Sequence, residues 1–254
     1  MPAQLTALTA VIVLAACGDA QASGALSARH PAPAASVSVH ASGAAPALLQ
    51  PTHQLPAALT DPALDLRAGP VDVPLELRIP SLRITASVLG VGLTPKNVMD
   101  TPTGSASDPV WRKAFWYRGG GIPGDASTAT IAGHVDDVLG RAAVFAHLKD
   151  LRPGDPIVVH DTRAGVDVDF VVTKTVTYTL RQTSEPAVLA QIYGPGPVTG
   201  QGPQHSPDGL SHLTLITCAG NWVKRMGTFD QRLAVYAVGT PPFGDAGDSQ
   251  HQRS

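Results

Sequence analysis

Residues 166–173, VDVDFVVT, have the clearest strand pattern in the sequence. Apolar side chains occupy every second position, which is typical of an antiparallel strand with one buried face. Short runs of similar character recur on both sides of this stretch, separated by turns rich in Gly and Pro; they lie at residues 75–80, 84–91, 128–132, 213–218 and 233–238. Short strands at such spacing predict a mainly β domain that closes, or nearly closes, into a barrel.

One segment among these runs has helical spacing instead. Val144, Phe145 and Leu148 fall on one face of residues 141–149, which predicts a short helix. We therefore expect a β-barrel over residues 73–240 that carries one or two short helices.

The N-terminal residues indicate export. Residues 5–16, LTALTAVIVLAA, form an apolar run that is shorter than the about 20 residues of a transmembrane helix and typical of a signal peptide. The run ends in LAAC at residues 14–17, which resembles the bacterial lipobox, where the cysteine receives a lipid. We expect residues 1–16 to be a signal peptide and Cys17 to be lipidated.

Composition separates the barrel region from the segments around it. Ala, Pro, Ser and Gly supply 31 of the 56 residues between positions 17 and 72. Such a segment buries too little apolar surface to offset its ordering entropy. We expect a disordered Ala/Pro-rich tether over residues 17–72 and a disordered polar tail over residues 241–254.

Charge argues against a nucleic-acid partner. The chain has 18 Lys and Arg residues against 20 Asp and Glu residues, a formal net charge of −2. An electrostatic nucleic-acid binder needs a basic face that displaces counterions from phosphate.

The two cysteines differ in context. A Cys17–Cys218 disulfide would suit an oxidising compartment, but lipid attachment to Cys17 would leave Cys218 as a lone thiol. A buried inert cysteine is the plainer structural interpretation of Cys218. However, Cys218 ends the strand-like run 213–218 and opens a Gly-containing loop, a position where reactive groups tend to lie. Cys218 is therefore a candidate nucleophile.

A cysteine nucleophile acts as a thiolate and needs a basic or cationic neighbour. His134 follows the strand-like run 128–132, and Arg232 precedes the run 233–238. Cys218 would attack a peptide carbonyl and form a thioester, while His134 would protonate the departing amine. Arg232 would stabilise the oxyanion or position the substrate backbone.

Other groupings of reactive residues are weaker. His134, Asp136, Asp137 and His147 match no standard zinc spacing, so we expect no metal, and no nucleotide-binding glycine motif indicates a cofactor. Residues 205–208, HSPD, contain Ser, His and Asp, but adjacency in sequence does not make a catalytic triad.

Residues 214–218, TLITC, resemble the TLxTC signature of sortases, the cysteine transpeptidases of Gram-positive surfaces. Gly133-His134 and Arg232 match the family's His and Arg positions in chain order. Further similar segments occur between about Leu75 and Ala237; they are IPSL at 79–82, WYRGG at 116–120, IAGHVD at 131–136 and LRPGD at 151–155. The set is most similar to actinobacterial class F sortases, with class E as the near competitor.

The resemblance implies a sortase-like closed β-barrel that cleaves LPxTG-like sorting signals after Thr through a Cys218 thioester. The acyl group would pass to an amine of a cell-wall precursor, such as a peptidoglycan precursor, or of another protein. The resemblance also implies that Thr217 and Asp136 contact the substrate and that no cofactor is needed, since no metal is obligatory in most members, although calcium helps some. The enzyme would be held by its N-terminal anchor at the extracellular face of the cytoplasmic membrane. A hydrolytic cysteine peptidase and a non-catalytic peptide-binding lipoprotein are the alternatives.

Two local features depart from the family pattern. Residues 230–232 read DQR where class F members usually carry Arg-Asp-Asn, so Arg225 is the alternative to Arg232. Residues 199–212 are longer than usual before the cysteine strand, and we expect this segment near the bound substrate.

Overall fold

The computed structural model of the chain describes residues 10–11 and 65–240. The predicted tail, most of the tether and most of the signal peptide lie outside these residues. The strands are β1 (Ala10–Val11), β2 (Val71–Ile79), β3 (Ile84–Val91), β4 (Val98–Met99), β5 (Ala114–Tyr117), β6 (Thr128–Ala132), β7 (Pro156–Asp161), β8 (Val166–Thr179), β9 (His212–Val223) and β10 (Thr228–Gly239). The α-helices are α1 (Pro186–Tyr193) and α2 (Pro195–Val198), and the 3-10 helices are Pro80–Leu82, Pro109–Arg112, Leu148–Asp150 and Gln182–Ser184. Within the described ranges, no helix is both long and apolar enough to cross a membrane.

Eight strands close into a barrel in the order β10-β8-β7-β2-β3-β5-β6-β9, which confirms the predicted mainly β barrel. Neighbouring strands are antiparallel except for the pairs β3–β5 and β6–β9, which are parallel. Strand β1 pairs with β4 in a separate two-stranded sheet.

Side-chain alternation along the strands produces two apolar clusters. The first, called here the inner core, takes buried residues from all eight barrel strands and therefore fills the barrel; it includes Leu77, Val88, Trp116, Ile131, Ile157, Phe170, Leu215 and Val235. The second, called here the outer cluster, joins helix α1 to the outer face of the barrel; it includes Trp111, Phe115, Ala132, Leu189, Ile192, Ile216 and Ala234. The hydroxyl of Thr130 donates to the carbonyl of Ile192 at 2.7 Å and ties α1 to β6.

The helix predicted over residues 141–149 is wrong, because only its end, Leu148–Asp150, is helical and that turn is 3-10. The backbone N–H groups of residues 143, 144 and 145 donate to the carbonyl groups of residues 135, 111 and 134. These donors are therefore unavailable to an α-helical ladder. Phe145 and Leu148 are fully buried in the inner core, so their spacing reflects core packing within a compact turn.

Cys218 lies within strand β9 and does not end it, contrary to the sequence prediction. A bulge opposite Asp230 lets the strand continue: Gly220 adopts a φ of 81°, and the N–H of Asn221 donates to Oδ1 of Asp230 at 2.8 Å. A Cβ atom at Gly220 would stand 2.0 Å from that same Oδ1, so glycine is required here.

The segment 199–212 packs at the start of β6 and β9. The N–H of Ser206 donates to the carbonyl of Ala126 and that of His212 donates to the carbonyl of Ser127, both at 2.8 Å. Cys218 is six residues further along β9, about 20 Å at the usual rise of a strand. The end of the segment at His212 is thus distant from Cys218, and the expected position of the segment near bound substrate stays a prediction.

Candidate active site

Cys218 and Arg232 are directly opposite each other on the antiparallel strands β9 and β10. Directly opposed residues have Cβ atoms about 5 Å apart and project from the same face of the sheet. That face is the outer one, because Ile216 and Ala234, each two residues away on the same strands, belong to the outer cluster. Cys218 as a whole residue is half-buried.

His134 reaches the same place from strand β6. Ala132 pairs with Ile216, and the N–H of Gly133 donates to the carbonyl of Ile216 at 3.1 Å. Extending the parallel pairing of β6 with β9 by two residues beyond Ala132 and Ile216 places His134 beside Cys218.

Aromatic packing holds the His134 ring. The ring centroid lies 4.8 Å from that of Trp111 and 5.3 Å from that of Phe115, the latter in an edge-on arrangement. Nε2 of His134 is 2.8 Å from the carbonyl oxygen of Pro102. A carbonyl only accepts, so Nε2 carries the hydrogen and donates it, which leaves Nδ1 of the neutral ring to exchange a proton.

Burial keeps both catalytic candidates in their neutral forms. Desolvation lowers the pKa of His134, which is only 6% exposed, and the hydrogen bond to Pro102 opposes this in part. Desolvation raises the pKa of Cys218 to about 11; the Arg232 charge lowers it, and the Asp136 charge raises it. Two opposite charges therefore act on the thiol.

Arg232 is a buried cation, 3% exposed, whose orientation is fixed by its own strand. Nη1 donates to the carbonyl groups of Phe229 and Gln231 at 3.0 and 2.7 Å, and Nη2 donates to Oγ1 of Thr228 at 3.0 Å. Arg225, the alternative from the sequence, is exposed in the turn between β9 and β10.

Thr217 and Asp136, both predicted substrate contacts, have different surroundings. Thr217 is buried, and its hydroxyl donates to the carbonyl of Gly133 at 2.8 Å, which joins the cysteine strand to the segment that carries the histidine. Asp136 is half-buried and forms an isolated bridge with Ala142. Cys17 lies outside the described residues.

The competing groupings have no catalytic arrangement. Asp208 pairs with His212 at 3.0 Å, and no hydrogen bond joins the hydroxyl of Ser206 to any described residue. Within residues 65–240, no cluster of three or more His, Cys, Asp or Glu side chains could hold a metal ion.

The family model described as Sortase domain matches residues 77–240, which is more than half of the chain and includes all three catalytic candidates. The chain belongs to the sortase family. Sortases are cysteine transpeptidases, and the barrel described above is the fold expected from the sequence resemblance.

Solved sortase structures are also similar to this sortase. Sortase C-1 from Actinomyces oris is 19% identical with a TM-score of 0.44, covering 66% of this chain and 73% of its own. A lid mutant of sortase A from Corynebacterium diphtheriae is 18% identical with a TM-score of 0.45, covering 72% and 77%. Sortase C1 of Streptococcus agalactiae is 19% identical with a TM-score of 0.43, covering 66% of both chains. Comparison with curated proteins gives no match. The family assignment rests on the sequence match over residues 77–240.

Three contacts of the histidine in this sortase escaped sequence reasoning: the Pro102 carbonyl, the Trp111 ring and the Phe115 ring. Trp111 stands out in the sequence as the first aromatic residue of the chain, but nothing there links it or Phe115 to His134. Pro102 gave no signal, because it contributes only a backbone oxygen from 32 residues away.

Proposed function

We propose that Cys218, His134 and Arg232 together catalyse transpeptidation on LPxTG-like sorting signals. The observation that supports this most strongly is that Arg232 is the strand partner of Cys218, while the β6–β9 register brings His134 to the other side. A base, a nucleophile and a fixed cation on three adjacent strands have the geometry that thioester chemistry requires.

In the first half-reaction, the Cys218 thiolate attacks the carbonyl carbon of the substrate threonine. The carbonyl π-electrons move to oxygen, and the oxyanion forms near the charge of Arg232. His134, as imidazolium, gives its proton to the departing glycine nitrogen, the C–N bond breaks and a thioester to Cys218 remains.

In the second half-reaction, the nitrogen of an acceptor amine attacks the thioester carbonyl. A proton passes from that nitrogen to His134, a C–N bond forms and the C–S bond breaks. Cys218 leaves as a thiolate beside an imidazolium, so the pair is ready for another cycle.

Thr217 supports both steps as a positioning residue. Its hydroxyl is occupied by the Gly133 carbonyl, which fixes the distance between the cysteine strand and the histidine. Asp136 remains the candidate for direct contact with substrate.

The cellular setting follows from the N-terminal sequence. A signal peptide over residues 1–16, lipid attachment at Cys17 and the Ala/Pro-rich segment after it would hold the barrel at the outer face of the cytoplasmic membrane, where sorting signals and cell-wall precursors are available. The motifs favour class F over class E, and the subclass stays a prediction.

The proposal is tested with the full chain, an LPxTG-type peptide library and an amine acceptor. Mass spectrometry of the intact protein should find an acyl adduct on Cys218, and the peptide products should be cleaved after Thr and joined to the amine. Cys218→Ala should lose the adduct and reduce turnover at least a thousandfold, because no other group supplies the nucleophile.

Circular dichroism provides the control that the Cys218→Ala variant is folded. A folded wild-type protein without any adduct would favour the peptide-binding lipoprotein. An adduct that only water releases, even at high amine concentration, would favour the hydrolytic peptidase.

A further inference from the structure

Asp136 is a carboxylate close enough to the catalytic thiol for its charge to act on it. It follows His134 by two residues, and its backbone is fixed by the bridge to Ala142. It is half-buried and therefore partly open to solvent. Its charge raises the pKa of Cys218, in opposition to Arg232.

The neighbouring Asp137 shows how an aspartate in this turn is neutralised. Its carboxylate is 2.6 Å from Nε of Arg141 and also accepts the N–H groups of Leu139 and Arg141 at 2.8 and 3.0 Å. Asp136, by contrast, makes no ion pair with any residue between 65 and 240, and its carboxylate accepts only its own backbone N–H. The turn thus stabilises one carboxylate and leaves the other without a cation.

An unpaired carboxylate beside a thiolate is unfavourable for the first half-reaction, because like charges repel. The second half-reaction, by contrast, brings in a group that a carboxylate can attract. Its acceptor is a primary amine, and primary amines are largely protonated at neutral pH, with ordinary pKa values of about 8 for an α-amine and about 10 for a lysine side chain. A cation must therefore approach a site whose buried charge, Arg232, is also positive.

We propose that Asp136 binds the ammonium group of the acceptor and holds it beside the Cys218 thioester. One ammonium proton then goes to solvent, and the neutral nitrogen attacks the thioester as described above, giving its second proton to His134. The acceptor subsite is thus selective for cationic primary amines. The inference rests on the proposed function and concerns only its second half-reaction.

The test compares two nucleophiles in the full chain after it is acylated by the preferred LPxTG-type peptide. Nα-acetyl-lysine amide is a cation at neutral pH, whereas hydroxylamine is uncharged. The measured quantity is the ratio of their rate constants for thioester release, which cancels any change in acylation. For Asp136→Asn, this ratio should fall about fivefold, the factor that corresponds to an ion pair of about 1 kcal/mol.

Two variants control for charge and structure. Asp136→Glu keeps the carboxylate and should retain most of the wild-type ratio. Asp72→Asn removes one negative charge from a side chain that is 94% exposed on β2, and it should leave the ratio unchanged. An unchanged ratio in Asp136→Asn would overturn the acceptor role, and so would an equal fall in Asp72→Asn. A wild-type protein that forms no thioester would instead contradict the proposed function itself.

Discussion

At the scale of single residues, burial and two nearby charges set the pKa of the Cys218 thiol. Burial and Asp136 favour the neutral thiol, while Arg232 favours the thiolate, and burial dominates because the resulting pKa is about 11. Burial also favours the neutral imidazole of His134. At neutral pH, most molecules therefore hold a thiol and a neutral ring, and a small fraction holds the reactive thiolate–imidazolium pair.

This charge distribution predicts the pH profile of acylation. Between the two pKa values, each unit of pH raises the thiolate fraction tenfold and lowers the imidazolium fraction tenfold, so the fraction of the reactive pair stays constant. The value of kcat/KM should therefore be flat from about neutral pH upward. It should fall on the acid side below the His134 pKa, which lies under its ordinary 6.5, and on the alkaline side near the Cys218 pKa of about 11.

Alkylation by iodoacetamide gives an independent measurement, because it depends on the thiolate alone. Its rate should rise throughout the range in which kcat/KM is flat, with circular dichroism as the control for folding at high pH. A thiol that titrates below its ordinary value of 9.0 would contradict this account of the site.

At the scale of secondary-structure elements, the end of β6 sets the position of His134. Gly133 lies against the face of Phe145, and a Cβ atom at this position would stand 2.5 Å from Cδ2 of that ring. Phe145 is fully buried in the inner core and cannot move aside without disturbing it. The absence of a side chain at Gly133 therefore lets β6 pass close to the core and deliver His134 to β9.

Gly133→Ala should reduce both stability and activity. Overpacking a rigid core costs about 1–3 kcal/mol, and a shift of about 1 Å in a catalytic group can reduce the rate about a hundredfold. Urea unfolding and kcat/KM for the LPxTG-type peptide would measure the two effects. Gly202→Ala is the matched control, since a Cβ there meets no atom within 4 Å. Wild-type activity in Gly133→Ala would show that the close approach to Phe145 does not position His134.

Strands could be predicted from the sequence where one of their faces is buried. The alternation in residues 166–173 predicted the first part of β8, which extends to Thr179. The helix over residues 141–149 was wrong because long-range hydrogen bonds take its N–H groups, and such bonds leave no trace in local spacing. Helix α1 was missed, although Pro186 in its first turn is a recognised start signal.

The site residues were predicted from motif and chain order, and their catalytic role stays a prediction. Cys218 and His134 each lie in a recognisable motif, although 84 residues separate them, whereas Arg232 follows only the general chain order because residues 230–232 depart from the class F pattern. The orientation of the histidine could not be predicted, because it depends on a backbone carbonyl of Pro102 and on packing against Trp111 and Phe115. The environment of Asp136 could not be predicted either. The fold of the turn determines that Arg141 pairs with Asp137 and not with Asp136.

At the scale of the whole molecule, the barrel wall separates the inner core from the face that carries the proposed site. The inner core draws residues from all eight strands, so it holds the barrel closed. The outer cluster includes Trp111 and Phe115, the two rings that pack on His134. Strand β9 contributes to both clusters at adjacent positions, with Leu215 in the inner core and Ile216 in the outer cluster.

Truncation of these two neighbours should therefore have different consequences. Leu215→Ala should reduce the free energy of unfolding by about 2–5 kcal/mol, yet folded molecules should keep kcat/KM within about twofold of wild type. Ile216→Ala should cost a similar free energy and also reduce kcat/KM about tenfold or more, because the cavity opens on the face that carries Cys218 and beside the rings that hold His134. Both variants would be assayed at low temperature after urea unfolding has established the folded fraction. Leu215→Val and Ile216→Val provide a milder pair in case an alanine variant does not fold. Equal losses of kcat/KM in folded Leu215→Ala and Ile216→Ala would contradict this prediction, because packing in the inner core would then affect activity as much as packing in the outer cluster.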